Sequence, residues 1–125
     1  MKFTLSTDSG ERVLTSALEI EEALIRLIRD NGAFLTLVPE SKIDGFTYIQ
    51  AAFIQKTKGF FKKTVVSSFY LMEVQEERPN GDLMQYSMET RDLSAVRRLF
   101  YDFFERQTVP ELSGWECELF YKAGT

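Results

Sequence analysis

Three long β-favouring runs follow one another between Phe46 and Met88, and the turn joining the last two dictates how they pair. Residues 46–55 (FTYIQAAFIQ) and 64–76 are rich in aromatic and β-branched side chains. After them comes Pro79-Asn80-Gly81, which suits a three-residue loop with Pro first in a type I turn and Gly in the left-handed bulge position. That loop sets Arg78 against Asp82, Glu76 against Met84, Val74 against Tyr86 and Met72 against Met88. A two-residue Asn-Gly turn would slip the register by one and reverse every face. Strands joined by such short turns make a mainly antiparallel sheet.

The remaining segments add strands at the ends and two helices. Residues 2–6 alternate weakly as a strand, Asp8-Ser9-Gly10 turns the chain, and a short strand near 12–15 follows. Ser16 with Glu19 has capping-box spacing. It opens a helix over 16–31 whose apolar face holds Ala17, Ile20, Leu24, Leu27 and Ile28, with Asn31-Gly32 as the stop. Residues 33–38 read as a strand halted by Pro39, and Asp44-Gly45 as a turn. In 46–55, Phe46, Tyr48 and Ile54 fall on one alternating face and Ile49 and Phe53 on the other, as in a central strand. Residues 56–63 read as a loop or hairpin end. Thr90 or Asp92 caps a second helix, about 91–107, striped by Leu93, Val96, Phe100 and Phe103. After Pro110, Gly114 opens a last strand, 115–121, with Trp115, Cys117, Leu119 and Tyr121 facing one way and Glu116, Glu118 and Lys122 the other. The expectation is one α+β domain over residues 1–125. It is a two-layer sandwich, with a mainly antiparallel twisted sheet of five to six strands and two amphipathic helices packed on one face. A chain of 125 residues buries enough surface to hold such a core without metal or disulfide.

Catalytic signals are poor. The chain has no histidine and one cysteine. A His-dependent triad, a His metal cluster and an internal disulfide are therefore all excluded. Cys117, on the Trp115–Leu119 face, reads as a buried structural thiol. No P-loop, Rossmann or EF-hand pattern occurs, and no cofactor is expected. Glu116 and Glu118 share a strand face and could form an acid/base pair, but beside Lys122 they read as solvent-facing. Met1-Lys2 leads into Phe3-Thr4-Leu5 and then polar residues, unlike a secretory leader, and no apolar run spans a membrane. With a lone cysteine, this points to the cytoplasm.

A net charge of −4 and a pI near 4.9 speak against nucleic acid and against anionic membranes as partners. The charge is uneven, however. Lys56, Lys58, Lys62 and Lys63 surround Phe60-Phe61, and Glu73, Glu76, Glu77 and Asp82 follow soon after. Two consecutive Phe in a loop do not both turn inward easily. Either Phe60 and Phe61 begin the strand 64–76 and pack under it, or Lys58, Phe60, Phe61 and Lys62 are partner contacts; likewise Glu76, Glu77 and Asp82 are either solvated surface or a candidate acidic surface for a basic partner.

One further reading comes from likeness. The order of a helix over 16–31, Phe34-Leu35-Thr36-Leu37, Phe46-Thr47-Tyr48-Ile49-Gln50, a helix ending Phe103-Phe104, Pro110 and Trp115-Glu116 resembles the small immunity proteins of bacterial polymorphic toxin systems. The closest resemblance is to the family numbered first among them. This likeness implies a non-catalytic cytoplasmic protein that binds and neutralises a cognate toxin, such as a basic toxin domain, as a monomer or homodimer. Two alternatives stay open. One is a small-molecule-binding or enzymatic domain with a cavity between sheet and helices, prompted by Tyr48, Phe69, Tyr70, Met72, Met84, Tyr86 and Met88. The other is a phage or structural assembly subunit that pairs through the long strands.

Overall fold

A computed structural model of the chain describes residues 1–27 and 33–124. The strands are β1 (Phe3–Thr7), β2 (Gly10–Val13), β3 (Phe34–Pro39), β4 (Phe46–Lys58), β5 (Thr64–Glu77), β6 (Leu83–Thr90) and β7 (Glu116–Tyr121). They form one antiparallel sheet in the order β2-β1-β3-β4-β5-β6-β7. The sheet has seven strands rather than five or six, because the short segment after Gly10 pairs fully with β1 as an edge. The helices are α1 (Ala17–Leu27) and α2 (Leu93–Tyr101), the latter running on into a π-helical turn, Asp102–Arg106. Residues 28–31 of the expected first helix, Ile28 among them, lie outside the described residues.

The β5–β6 hairpin has the register expected from its loop: Glu76 opposes Met84, Val74 opposes Tyr86 and Met72 opposes Met88. Arg78 N–H donates to Asp82 O at 2.8 Å, and Gly81 takes the left-handed conformation, φ 92°. At the start of β4, Asp44 and Gly45 both have positive φ and close a tight Ile43–Phe46 turn, as an Asp-Gly pair favours. One residue on, the ladder shifts between Phe46 and Tyr48. This bulge corrects the alternation read from sequence: Phe46 is buried with Ile49 and Phe53, and Tyr48 is left on the opposite face. β4 is the central strand of the seven.

The core is one layer thick. Ile20, Ala23, Leu24 and Leu27 of α1 and Val96, Leu99 and Phe100 of α2 are buried with Phe3, Leu5, Leu35, Leu37, Ile49, Ala51, Met72 and Val74 of the sheet. Asp92 is the N-cap of α2, its carboxylate accepting from Ser94 N–H at 2.9 Å. At the start of α1 the expected Ser16–Glu19 box is replaced: the Thr15 hydroxyl donates to Glu19 Oε1 at 2.6 Å. The π-helical turn ends at Gln107 in the left-handed region. It brings two consecutive rings onto Phe3, Phe103 at 6.0 Å and Phe104 at 5.2 Å between centroids. The two helices are clasped by Arg97, which donates from Nε and Nη2 to the two oxygens of Glu21 at 3.0 and 2.9 Å, and by the Tyr101 hydroxyl donating to Oε2 at 3.2 Å.

Two consequences position the candidate site. First, the sheet contacts of α2 fall mainly on β4, β5 and β6. Cys117 is therefore exposed, not buried as its apolar neighbours suggested, and every residue of β7 is exposed. Second, contact from the β3 side follows β4 as far as Phe53, whose N–H donates to the Ala33 carbonyl, and β6 pairs with β5 only from Tyr70. Among the described residues, β4 and β5 pair beyond these points only with each other and project as a two-stranded arm. Among the described residues, no helix is long and apolar enough to cross a membrane.

Candidate functional site

The seven residues singled out from sequence fall into two groups that the fold holds apart. Lys58, Phe60, Phe61 and Lys62 stand at the tip of the arm. Glu76, Glu77 and Asp82 stand at the other end of β5. From Thr64 to Glu77 the strand spans about 40 Å at ~3.3 Å per residue.

The acidic group is occupied internally. Glu76 accepts from Arg78 Nε at 3.4 Å and from the Tyr86 hydroxyl at 3.1 Å. Glu77 is paired with Lys42. Asp82 accepts from Asn80 Nδ2 at 3.1 Å and from Ala123 N–H at 2.9 Å, tying the end of the chain to the β5–β6 hairpin. These donors, the Ala123 amide first, hold the Asp82 carboxyl below its ordinary range. Each of the three carboxylates thus has a partner within the fold.

The tip is the reverse. Phe60 and Phe61 are 97% and 104% exposed, so neither ring packs under β5. Gly59 makes the sharp entry to the tip, with φ 119°; a Cβ there would sit 2.4 Å from the Lys62 carbonyl oxygen. Lys56 lies 5.4 Å from the centroid of the Phe69 ring, a cation–π contact along the arm. Val65 and Val66 are exposed beside it.

The sheet face away from the helices carries a hydrogen-bonded row that sequence reasoning missed. Thr36 Oγ1 donates to Gln50 Oε1 (2.7 Å), and Gln50 Nε2 donates to Glu73 Oε1 (3.1 Å). Gln85 Nε2 donates to Glu73 Oε2 (3.1 Å), and the Tyr48 hydroxyl donates to Gln85 Oε1 (3.2 Å). The row crosses four strands, and both Glu73 oxygens accept from amides, so Glu73 is a structural acceptor rather than a free base. Burial is the main cause that pushes the Tyr48 phenol above its ordinary range.

Beside this row, on the same face, stand Glu89 of β6 and Glu116 and Glu118 of β7, all exposed. Glu116 is opposite Ser87 and Glu118 opposite Gln85. Further along β7, Leu119, Phe120 and Tyr121 are 50%, 62% and 47% exposed, Leu119 on the Cys117 face. The β6–β7 ladder shifts after Leu119, so Tyr121 opposes Leu83 and no longer shares the Cys117–Leu119 face assigned from sequence. One signal of this strip was present in the sequence. Leu119-Phe120-Tyr121 is apolar on both strand faces, which a one-layer core cannot bury at an edge.

For chemistry, the arrangement offers little. Among the described residues no three His, Cys, Asp or Glu side chains gather as a metal site. The centre of the space between helices and sheet is filled, with Ile20, Leu24, Phe100 and Phe103 at 0% exposure, while a cleft opens at its edge between α1 and the β1–β2 hairpin, lined by Thr7, Glu11, Arg12, Glu22, Arg26 and Phe34. No family model, curated protein or solved structure matches the chain.

Proposed function

We propose that the chain is a non-catalytic protein-binding module, an immunity protein that holds a cognate toxin by surface contact. The observation that carries this reading is the β7 strip. Leu119, Phe120 and Tyr121 stand exposed on the edge strand that also carries Glu116 and Glu118, Tyr121 on the carboxylates' face and Leu119 on the other. An edge that combines apolar side chains with carboxylates suits a partner with a basic, partly apolar surface. Charge complementarity speeds such an encounter, and the buried rings then slow its dissociation. The order of helices, strands and aromatic residues that resembles the immunity proteins supports the same reading. The acidic contact moves from Glu76, Glu77 and Asp82, which have internal partners, to the β6–β7 carboxylates.

The test is co-expression with the product of the adjacent open reading frame, followed by calorimetry on the purified pair. The reading expects protection of the host and a 1:1 complex. Leu119→Ser with Phe120→Ser should weaken that complex by roughly a hundredfold, the scale of two interface anchors. Protection that survives this double change unaltered, or a neighbour without toxicity, would sink the proposal.

A further inference from the structure

The arm has chemistry of its own, independent of the protein-partner reading. We propose that it is a peripheral membrane contact that seats Phe60 and Phe61 in the interface of an anionic bilayer. Between Gly45 and Met72 there is no Asp or Glu, while Lys56, Lys58, Lys62 and Lys63 all fall on the arm. Taking these four lysines from the net charge of −4 leaves −8 on the rest of the chain. Net charge set the sequence reading against membranes, but geometry separates the two signs. From Phe53 to Lys58 the arm extends roughly 15–20 Å beyond the sheet at ~3.3 Å per residue. That is about twice the ~8 Å screening length at physiological salt. The surface under the tip therefore meets four positive charges and little of the body's field. Two neighbouring rings, both fully exposed on a convex tip, need no preformed pocket opposite them. A bilayer interface accepts them side by side, with the lysines at headgroup level.

Vesicle sedimentation with the full chain tests this. The intact protein should bind vesicles of phosphatidylcholine mixed with phosphatidylserine at ~0.1 M salt and be released towards 1 M, where screening shortens to ~3 Å. It should leave pure phosphatidylcholine vesicles in solution. Each of Lys58→Ala and Lys62→Ala should lower partitioning about fivefold. Each of Phe60→Ser and Phe61→Ser should lower it roughly tenfold or more. Circular dichroism reports whether these exposed changes leave the fold intact. In Phe60→Trp, the added fluorescence should shift to the blue and be quenched by brominated acyl chains. Soluble glycerophosphoserine should not compete, since the rings need the acyl boundary. The proposal is overturned by equal binding to both vesicle types, by no binding, by full competition from the soluble headgroup, or by an unquenched Trp at position 60. A tip that serves only a protein pocket gives the second of these results. Leu119→Ser with Phe120→Ser should leave vesicle binding unchanged, so failure here and failure of the toxin-binding reading are separate outcomes.

Discussion

Glu21 shows how much one half-exposed residue can organise. Its carboxylate takes both Arg97 donors and the Tyr101 hydroxyl, joining the two helices. The Arg97 hydrogen bond is the main cause that lowers its pKa from 4.5. A lowered folded pKa contributes stability that is present in full above the unfolded value and lost as pH falls through the folded one. Urea titrations should therefore show stability declining as pH drops below about 4.5. Glu21→Gln with Asp82→Asn should flatten that decline, because Asp82 is lowered in the same direction. A second prediction concerns the thiol. Cys117 should react stoichiometrically with Ellman's reagent in the native protein, without denaturant, because β7 is uncovered. Its burial was misread for a definable reason. Alternation reveals which side chains share a face, but not whether a helix lies over it. Arg78 and Asn80 lie two residues from Glu76 and Asp82, but the other partners, Lys42, Tyr86 and Ala123, are brought near only by the folded chain.

Elements defined by local chemistry were the most legible. The Pro79-Asn80-Gly81 loop, the Asp44-Gly45 turn and the Asp92 cap follow from backbone preferences within a few residues, and all three are present. Bulges were not legible. The shifts near Thr47 and Phe120 re-aim Phe46 and Tyr121 through cross-strand pairing that no short window contains. The arm was half legible: the Lys/Phe cluster stood out as a loop or hairpin end and β5 starts at Thr64 as expected, but β4 runs on to Lys58 instead of ending at Gln55. Isolated two-stranded ribbons are marginal in water. Amide exchange should therefore be fast over residues 54–68 and slow in Ile49–Ala51 and Met72–Val74, whose side chains are mostly in the core. Stability should divide the same way. Phe100→Ala, at a fully buried ring, should cost about 3–5 kcal/mol in urea denaturation. Phe60→Ala or Phe61→Ala should stay within about 0.5 kcal/mol.

At the scale of the molecule, the two candidate surfaces are well separated. β7 runs alongside the Leu83–Ser87 part of β6, which pairs with Glu73–Glu77 of β5. The tip lies past the other end of β5, about 30 Å from Glu73 at ~3.3 Å per residue. The α+β class and antiparallel sheet were legible because period-2 and period-3.6 patterns are written along the whole chain. The segregation of charge in space was not, since a net value erases it. The end of the arm should be dispensable for folding. Replacing residues 57–66 with a two-residue Asn-Gly turn, which keeps Lys56 opposite Ser67, should leave the unfolding free energy within about 1 kcal/mol. A chain that fails to fold after this exchange would mean that the arm helps hold the sheet.

The bond from Ala123 N–H to Asp82 also has a practical side. It fixes Ala123 next to the uncovered edge strand, so a purification tag or surface-coupling linker on the C-terminal side of this residue would start close to Leu119 and Phe120. Chips loaded through that end would mask the face they are meant to interrogate. Attachment through Met1, which precedes β1 five strands away across the sheet, about 24 Å at ~4.8 Å per strand, leaves it open to titrant.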